Sequence, residues 1–131
     1  MRNLLVETLE ILKLCHKTWE DVEFIDMFYN KRYPRNYTKY NFRDNKRYRL
    51  DKETFLKSAK NINYDESYGR QEINETLKIV GKDWWLERHE YDGSEWWEFK
   101  QKPKLDEKVE LIKDEEVMKR MILQEELEDN D

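Results

Sequence analysis

Residues 81–102 read GKDWWLERHEYDGSEWWEFKQK. Two aromatic segments, residues 84–91 and 95–99, flank the dipeptide Asp92-Gly93. Such a dipeptide between apolar runs is the strongest short-range signal for a β-hairpin, because Asp and Gly both tolerate the positive φ of a two-residue type I′ turn. The sequence therefore predicts a central hairpin in which Tyr91 lies opposite Ser94.

The two-residue turn fixes which side chains share a face of the hairpin. Because side chains alternate along a strand, this register pairs His89 with Trp96 and Arg88 with Trp97. One face then carries a candidate core of Trp84, Leu86, Trp97 and Phe99. The other face carries Trp85, Glu87, His89, Tyr91, Trp96 and Glu98. A three-residue turn would exchange the faces of the second strand, but either register leaves a surplus of aromatic surface.

The composition describes an acidic chain of the size of one domain. Of its 131 residues, 37% are apolar and 42% are charged, and the net charge is -5 at pH 7. Burial must depend on large side chains, and each aromatic residue can bury about 150–250 Å². Five Trp, eight Tyr and five Phe supply them. The negative net charge disfavours general nucleic-acid binding by the whole molecule.

The N-terminus and the cysteine content favour the cytosol of a cell. Residues 1–10 read MRNLLVETLE, which holds too short an apolar run for a signal peptide. No apolar run approaches the roughly 20 residues that span a bilayer. The chain has one cysteine, Cys15, and therefore no internal disulfide, which suits a reducing compartment. We expect no membrane association.

The first segment predicts an amphipathic helix that is capped by Asn3 and ends near residues 16–17. Its stripe consists of Leu4, Leu5, Thr8, Leu9, Ile11, Leu12 and Cys15. The dipeptide Cys15-His16 invites a metal-site interpretation, but structural zinc needs about four ligands and the chain has one Cys and two His in total. Cys15 is therefore interpreted as part of the apolar stripe, and no metal or cofactor is expected.

The remaining pattern predicts an α+β fold, a small antiparallel sheet of about four to five strands with an N-terminal, a middle and a C-terminal helix. Strands are expected at residues 22–29, 47–50 and 76–80 besides the hairpin. Asp51 caps a helix over residues 52–60, and Asp114 caps a final helix. Residues 61–69 are predicted to form a loop, and residues 107–112 fit a strand or a helix. We expect one domain over residues 1–126 and a disordered acidic tail at residues 127–131.

Residues 30–49 form a basic segment with interleaved aromatic residues. Eight Lys or Arg residues stand against Asp44 alone. Basic side chains neutralise phosphates and aromatic rings stack on bases, so this mixture fits a nucleotide or single-stranded nucleic-acid site. The candidate residues are Arg32, Arg35, Tyr37, Tyr40, Arg43 and Arg47. The same charges are equally consistent with contact to an acidic protein surface or with plain solvation.

The C-terminal segment has the opposite charge. Residues 105–131 contain eleven acidic and four basic side chains, a balance of -7. This acidic segment and the basic segment can pair within one molecule, pair between two molecules or face separate partners. The sequence therefore leaves a monomer and a homodimer both open.

Few residues in the chain fit a catalytic site. The three glycines lie too far apart to build a phosphate-binding loop or a dinucleotide fingerprint. Glu87 and His89 share a strand face, and Glu98 lies opposite Glu87 in the preferred register, so these three form the acid/base constellation that the sequence offers. Such residues more often line a polar face or contact a cation. We predict that the chain is not an enzyme.

The hairpin sequence WWLERHEYDGSEWWEFK resembles small uncharacterised proteins carried by phages and prophages of Gram-positive bacteria. The resemblance extends to residues 18–22 (TWEDV), residues 63–65 (NYD) and residues 68–69 (YG), and it covers about half of the chain. The basic segment and the acidic C-terminus lie outside it. The resemblance implies a small, non-enzymatic phage protein that acts against host defence in the bacterial cytosol, as anti-CRISPR proteins do.

Together these features predict an inhibitor that binds a host defence protein, such as a CRISPR-Cas nuclease or its guide-RNA complex. The acidic C-terminal segment would compete for a basic nucleic-acid channel, while the aromatic hairpin face adds specific contacts. The expected partner-binding residues are Trp85, Tyr91, Trp96, Glu87, Glu98, Glu115 and Glu116. The alternative is the nucleotide or single-stranded nucleic-acid binder that uses residues 31–49.

Overall fold

The computed structural model describes residues 1–32, 34, 45–65 and 71–127. The strands are β1 (Arg2–Asn3), β2 (Phe24–Asn30), β3 (Asn45–Leu50), β4 (Asn63–Tyr64), β5 (Lys78–Val80), β6 (Trp84–Tyr91) and β7 (Ser94–Gln101). The helices are α1 (Leu4–Leu14), α2 (Lys52–Lys60) and α3 (Glu115–Ile122), and a 3₁₀ turn spans Trp19–Asp21. The predicted tail, residues 127–131, lies outside the described residues except for Leu127.

The strands form an antiparallel sheet in the order β3-β2-β5-β6-β7. The predicted α+β fold with an N-terminal, a middle and a C-terminal helix is confirmed. A second, two-stranded sheet joins β1 to β4. The sequence did not predict this pair, because β4 is two residues long and lies inside a polar segment that was predicted to be a loop.

The hairpin of β6 and β7 has the predicted register. Asp92 and Gly93 adopt φ angles of 51° and 86°, as a two-residue turn with two positive φ angles requires. Tyr91 pairs with Ser94, and the further pairs of His89 with Trp96 and Arg88 with Trp97 follow. The division of the hairpin into two faces is therefore confirmed.

The inner face of the sheet packs against α1 and α2. Leu4 and Leu12 of α1 and Phe55 of α2 join the central residues Ile25 and Ile79 in one apolar core. The core also includes the hairpin residues Trp84, Leu86 and Trp97, with Phe99 packed against them. Two helices therefore cover one side of the sheet.

Helix α1 begins as predicted but is rotated relative to the predicted stripe. The Asn3 side chain accepts a hydrogen bond from the Val6 amide at 3.1 Å and so caps the helix. Leu9, which was predicted to be buried, is 44% exposed, whereas Glu7 is 2% exposed. The prediction of a uniformly apolar stripe was wrong at these positions, because the fold buries a charged side chain there.

Helix α2 has the predicted bounds and cap. The Asp51 carboxylate accepts hydrogen bonds from the Thr54 amide at 3.0 Å and from its hydroxyl at 2.8 Å. Phe55 and Ala59 are buried on the inner side of this helix. A polar cap followed by two apolar residues four apart was therefore a sufficient signal.

Strand β5 is shorter than predicted because a side chain takes over its pairing. The Thr76 hydroxyl takes the place of a backbone carbonyl of a paired strand, because it accepts a hydrogen bond from the Phe28 amide at 2.8 Å. The Asn74 side-chain amide donates to the Phe28 carbonyl at 2.8 Å. The strand therefore starts at Lys78, two residues later than predicted.

Helix α3 is also capped as predicted, with the Asp114 carboxylate accepting from the amides of Glu116 and Val117 at 2.9 and 3.0 Å. None of its residues is buried. Residues 107–112, which fit a strand or a helix, form neither. No helix in the described residues is both long and apolar enough to cross a membrane.

Candidate functional site: the outer face of the sheet

The outer face is the side of the sheet opposite α1 and α2. Its side chains come from alternate positions of the strands, and the register aligns one charged residue from each strand in a row. The row consists of Arg49, Asp26, Lys78, Glu87 and Glu98. Adjacent signs alternate across the first four strands, so the row favours the observed pairing of the strands.

At the hairpin end of this row, His89 lies between two carboxylates. Its Nε2 atom is 3.0 Å from Glu87 Oε2, and its Nδ1 atom is 3.0 Å from Glu98 Oε2. Lys100 Nζ forms an ion pair with Glu98 at 3.1 Å from Oε1. The predicted acid/base constellation of Glu87, His89 and Glu98 is therefore assembled on the outer face.

The Glu87 carboxylate is held in its ionised form. Partial burial raises the pKa of Glu87, but hydrogen bonds from Trp85 and His89 outweigh this effect and leave the pKa below its ordinary value. The Trp85 indole Nε1 donates to Glu87 Oε1 at 2.6 Å. A general acid needs a raised pKa, so this environment suits a fixed anion better than a proton donor.

Aromatic side chains border the charged network. Trp85 and Trp96 are half-buried, and the ring of Trp96 stacks on His89 with the centroids 6.5 Å apart. Phe28 is 43% exposed, and Tyr91 at the end of the hairpin is 78% exposed. The outer face therefore presents indole and phenyl surface beside paired charges, which is a composition typical of protein interfaces.

A groove runs along the outer face over the short strand β5. Its volume is 560 Å³, and its walls include Phe24, Phe28, Val80 and Trp85. The groove exists because β5 has three residues whereas β2 and β6 have seven and eight. The size falls within the range of about 300–1,000 Å³ typical of binding pockets.

The predicted partner-binding residues are only partly brought together. Trp85, Trp96, Glu87 and Glu98 share the outer face, and Tyr91 lies at its hairpin end. The remaining two predicted residues, Glu115 and Glu116, are exposed in the first turn of α3. The acidic and aromatic parts of the predicted surface therefore belong to different elements.

The structure describes two of the six residues that were predicted to bind nucleic acid. Arg47 lies on β3, and its guanidinium donates from Nε to Asp26 Oδ2 at 2.6 Å and forms an ion pair with the same carboxylate. Arg32 lies two residues after the end of β2, and its backbone amide donates to Asn30 Oδ1 at 2.9 Å. The other four candidates, Arg35, Tyr37, Tyr40 and Arg43, lie outside the described residues.

A buried ionic network, which sequence reasoning missed, ties the hairpin to α1. Arg88 donates to Glu7 Oε1 at 3.1 Å and to Glu95 Oε1 at 2.9 Å, and all three side chains are almost fully buried. The guanidinium carbon lies 4.8 Å from the Trp97 ring centroid. Glu7 also accepts from the Trp97 amide at 3.1 Å, which satisfies a donor on the edge strand β7.

The same network extends to β4 and to the segment before β5. The Tyr64 hydroxyl donates to Glu7 and accepts from Arg88 at 3.2 Å. Burial and the hydrogen bond to Glu7 raise the pKa of Tyr64 well above its ordinary value. Glu95 accepts from the amide of Glu72 at 2.6 Å and from the next amide at 3.2 Å. Because the four side chains at its centre, those of Glu7, Tyr64, Arg88 and Glu95, are buried, this network holds the fold together rather than binding a ligand.

The register contained a signal for this network. Alternation along β6 and β7 places Arg88 and Glu95 on the same face as Trp84, Leu86 and Trp97. A charged pair on a core face requires partners, and the three-residue spacing from Leu4 to Glu7 on α1 supplies one. Among residues 1–32, 34, 45–65 and 71–127, no group of three or more His, Cys, Asp or Glu side chains is arranged to hold a metal ion.

No protein-family model matches the chain, and neither curated proteins nor solved structures give a match.

Proposed function

We propose that the chain is a binding protein that inhibits a host defence effector, and that it contacts this effector through the outer face of its sheet. One observation carries the proposal: α1 and α2 both pack on the inner face, while Trp85 and Trp96 remain partly exposed on the other. Large aromatic side chains that are exposed together on a sheet face, with charged side chains beside them, mark a surface that binds a partner.

The class of partner follows from charge and from the phage resemblance. The C-terminal segment is strongly acidic, and Glu115 and Glu116 are exposed on it. A surface of this sign competes with nucleic acid for a basic channel, such as that of a CRISPR-Cas nuclease or its guide-RNA complex. The proposed effector is therefore a nucleic-acid-processing protein of the bacterial cytosol, and the complex weakens as salt is added.

Affinity capture from a Gram-positive host lysate, followed by mass spectrometry, tests the proposal. We expect the wild-type chain to retain a nuclease or another nucleic-acid-processing protein, and the Trp85→Ala/Trp96→Ala variant to lose it. The control is Leu9→Ala, which removes an exposed apolar side chain from α1 on the other side of the molecule. The proposal fails if no such protein is recovered, or if the double variant retains it while remaining folded.

The exposed edge of the sheet favours a second candidate function, binding to single-stranded nucleic acid. Lys46, Arg47 and Arg49 are all exposed on the edge strand β3. A mobility-shift titration at low salt tests this function, and the combined substitution of these three residues by Ser should abolish the shift. The absence of any shift with the wild-type chain would eliminate it.

A further inference from the structure

The groove over β5 on the outer face has an apolar platform at one end, formed by Phe24, Val80 and Trp85. These residues lie side by side on β2, β5 and β6, and each is partly exposed. All three line the groove, whose volume is 560 Å³. Two aromatic side chains that flank an aliphatic one provide a surface on which a planar ring can stack.

A cationic patch lies next to the apolar platform. Arg49 and Lys78 flank Asp26 across the strands, are exposed, and form no ion pair with another described residue. The Asp26 carboxylate is already paired with Arg47, whose Nε donates to Oδ2 at 2.6 Å. Arg49 borders a hollow of 440 Å³ that shares Phe24 and Arg47 with the groove. Three cations and one carboxylate give this patch a net charge of +2.

Two further carboxylates lie near the patch. Glu75 lines the end of the groove away from the apolar platform, and counting it leaves a net charge of +1. Glu87 lies opposite Lys78, but its oxygens face the hairpin, 2.6 Å from Trp85 Nε1 and 3.0 Å from His89 Nε2. The positive charge of the outer face is therefore concentrated over β3, β2 and β5, and its negative charge over the hairpin.

We propose that the groove binds a nucleoside monophosphate, with its base on the apolar platform and its phosphate between Arg49 and Lys78. Residues two apart on one strand face are separated by about 7 Å, so the platform and the cations lie one pentose apart. A phosphate monoester carries about −1.5 to −2 charges at pH 7, which matches the net charge of the cationic patch better than a single carboxylate does.

This site goes beyond the two functions proposed above. The contact with a defence effector depends on the hairpin and on the acidic C-terminal segment, and Lys78 belongs to neither. Binding of single-stranded nucleic acid along β3 would use Lys46, but alternation places Lys46 opposite Tyr29 on the inner face, away from the groove. Loss of nucleotide binding in Lys78→Ser therefore reports on this site alone, whether or not an effector is captured.

Calorimetric titration of the full chain at low salt tests the site, with the four ribonucleoside 5′-monophosphates, the four ribonucleosides and inorganic phosphate as probes. We expect at least one monophosphate to bind about tenfold more tightly than its nucleoside or inorganic phosphate, because only the monophosphate contacts both the platform and the cations. Lys78→Ser and Arg49→Ser should each weaken binding about tenfold, since each removes a charge-assisted hydrogen bond. The matched control Lys46→Ser removes a charge from the inner face of β3 and should bind as the wild type does.

A single-stranded oligonucleotide of about ten nucleotides distinguishes the two sources of such a ligand. If it displaces the bound monophosphate, the groove accepts one nucleotide of a strand, and if it does not, the ligand is a free nucleotide. The proposal is overturned if no monophosphate binds at millimolar concentration, or if inorganic phosphate binds as tightly as the monophosphates. It is also overturned if either Lys78→Ser or Arg49→Ser binds as the wild type does.

Discussion

At the residue scale, Arg88 determines how the hairpin is anchored. It lies between the carboxylates of Glu7 and Glu95 and beneath the Trp97 ring, and its side chain is inaccessible to solvent. Burial lowers the pKa of Arg88, but the hydrogen bonds that it donates to Tyr64 and Glu95, together with the negative charge of Glu7, outweigh this effect and raise the pKa above its ordinary value. Without Arg88 the site would contain two buried carboxylates, of which only Glu7 would keep a cationic neighbour, Arg2, at 3.8 Å.

We predict that Arg88→Met lowers the free energy of unfolding by about 3–5 kcal/mol, because removal of one partner leaves buried carboxylates unpaired. Denaturation in urea measures the loss. The exposed substitution Lys57→Met on α2 is the control and should change stability by no more than about 0.5 kcal/mol. A loss below about 1 kcal/mol for Arg88→Met would show that the network does not stabilise the fold.

Tyr64 gives the network a dependence on alkaline pH. Its pKa in the folded chain lies well above the value near 10 of an exposed tyrosine, because burial and the hydrogen bond to Glu7 favour the neutral phenol. Only the unfolded chain then releases this proton above pH about 10. The stabilisation is therefore present below that pH and is lost as pH rises through it.

We expect the free energy of unfolding of the wild type to fall above pH about 10 more steeply than that of Tyr64→Phe. The difference in slope should approach about 1.4 kcal/mol per pH unit. Urea denaturation in a series of alkaline buffers measures both slopes. Parallel slopes would contradict a buried phenol at this position.

Glu87 provides a test at acidic pH on the outer face. Its pKa is lowered although partial burial opposes the change, and the Trp85 indole is one cause. Ionised Glu87 therefore stabilises the folded chain above the ordinary carboxyl pKa, and this stabilisation is lost as pH falls through the pKa of Glu87 in the folded chain. Trp85→Phe removes the donor, so the Glu87 pKa should rise in an NMR titration. Trp96→Phe, which removes no hydrogen bond to Glu87, is the control, and the Glu87 pKa should be lower in this variant than in Trp85→Phe. Equal Glu87 pKa values in the two variants would exclude the Trp85 hydrogen bond as a cause.

At the scale of elements, the hairpin was predictable because a short local signal determines it. Asp92-Gly93 fixes the turn, the turn fixes the register, and the register fixes both faces. The cap of α2 is equally local. The length of β5 was not predictable, because the hydrogen bonds that end it come from Thr76 and Asn74 to Phe28, which is more than forty residues away.

The turn makes a prediction of its own. Gly93 has a φ of 86°, which a residue with a Cβ adopts at a cost of about 1–2 kcal/mol. Gly93→Ala should lower the free energy of unfolding by that amount, whereas Ser94→Ala, on the exposed first residue of β7, should change it little. Chemical denaturation compares the two variants. Equal stability of Gly93→Ala and the wild type would contradict the type I′ turn.

At the scale of the whole molecule, the fold class followed from the order of predicted elements, but the burial of Glu7 did not. Helical periodicity predicted an apolar stripe on α1 that included Leu9, and the structure exposes Leu9 because Glu7 must face Arg88. The outer-face residues Glu87, His89 and Glu98 were predicted to be neighbours because they follow from the register alone. A contact between distant segments can be predicted only when it is known which elements pack together, and local sequence patterns do not contain that information.

The central claim is that the sheet uses one face for its own core and leaves the other for a partner. The free energies of unfolding of four Trp→Ala variants test it most directly. Trp84→Ala and Trp97→Ala should each lose about 3–5 kcal/mol, because they empty the core. Trp85→Ala and Trp96→Ala should each lose no more than about 1 kcal/mol. Losses as large for the second pair as for the first would contradict the claim.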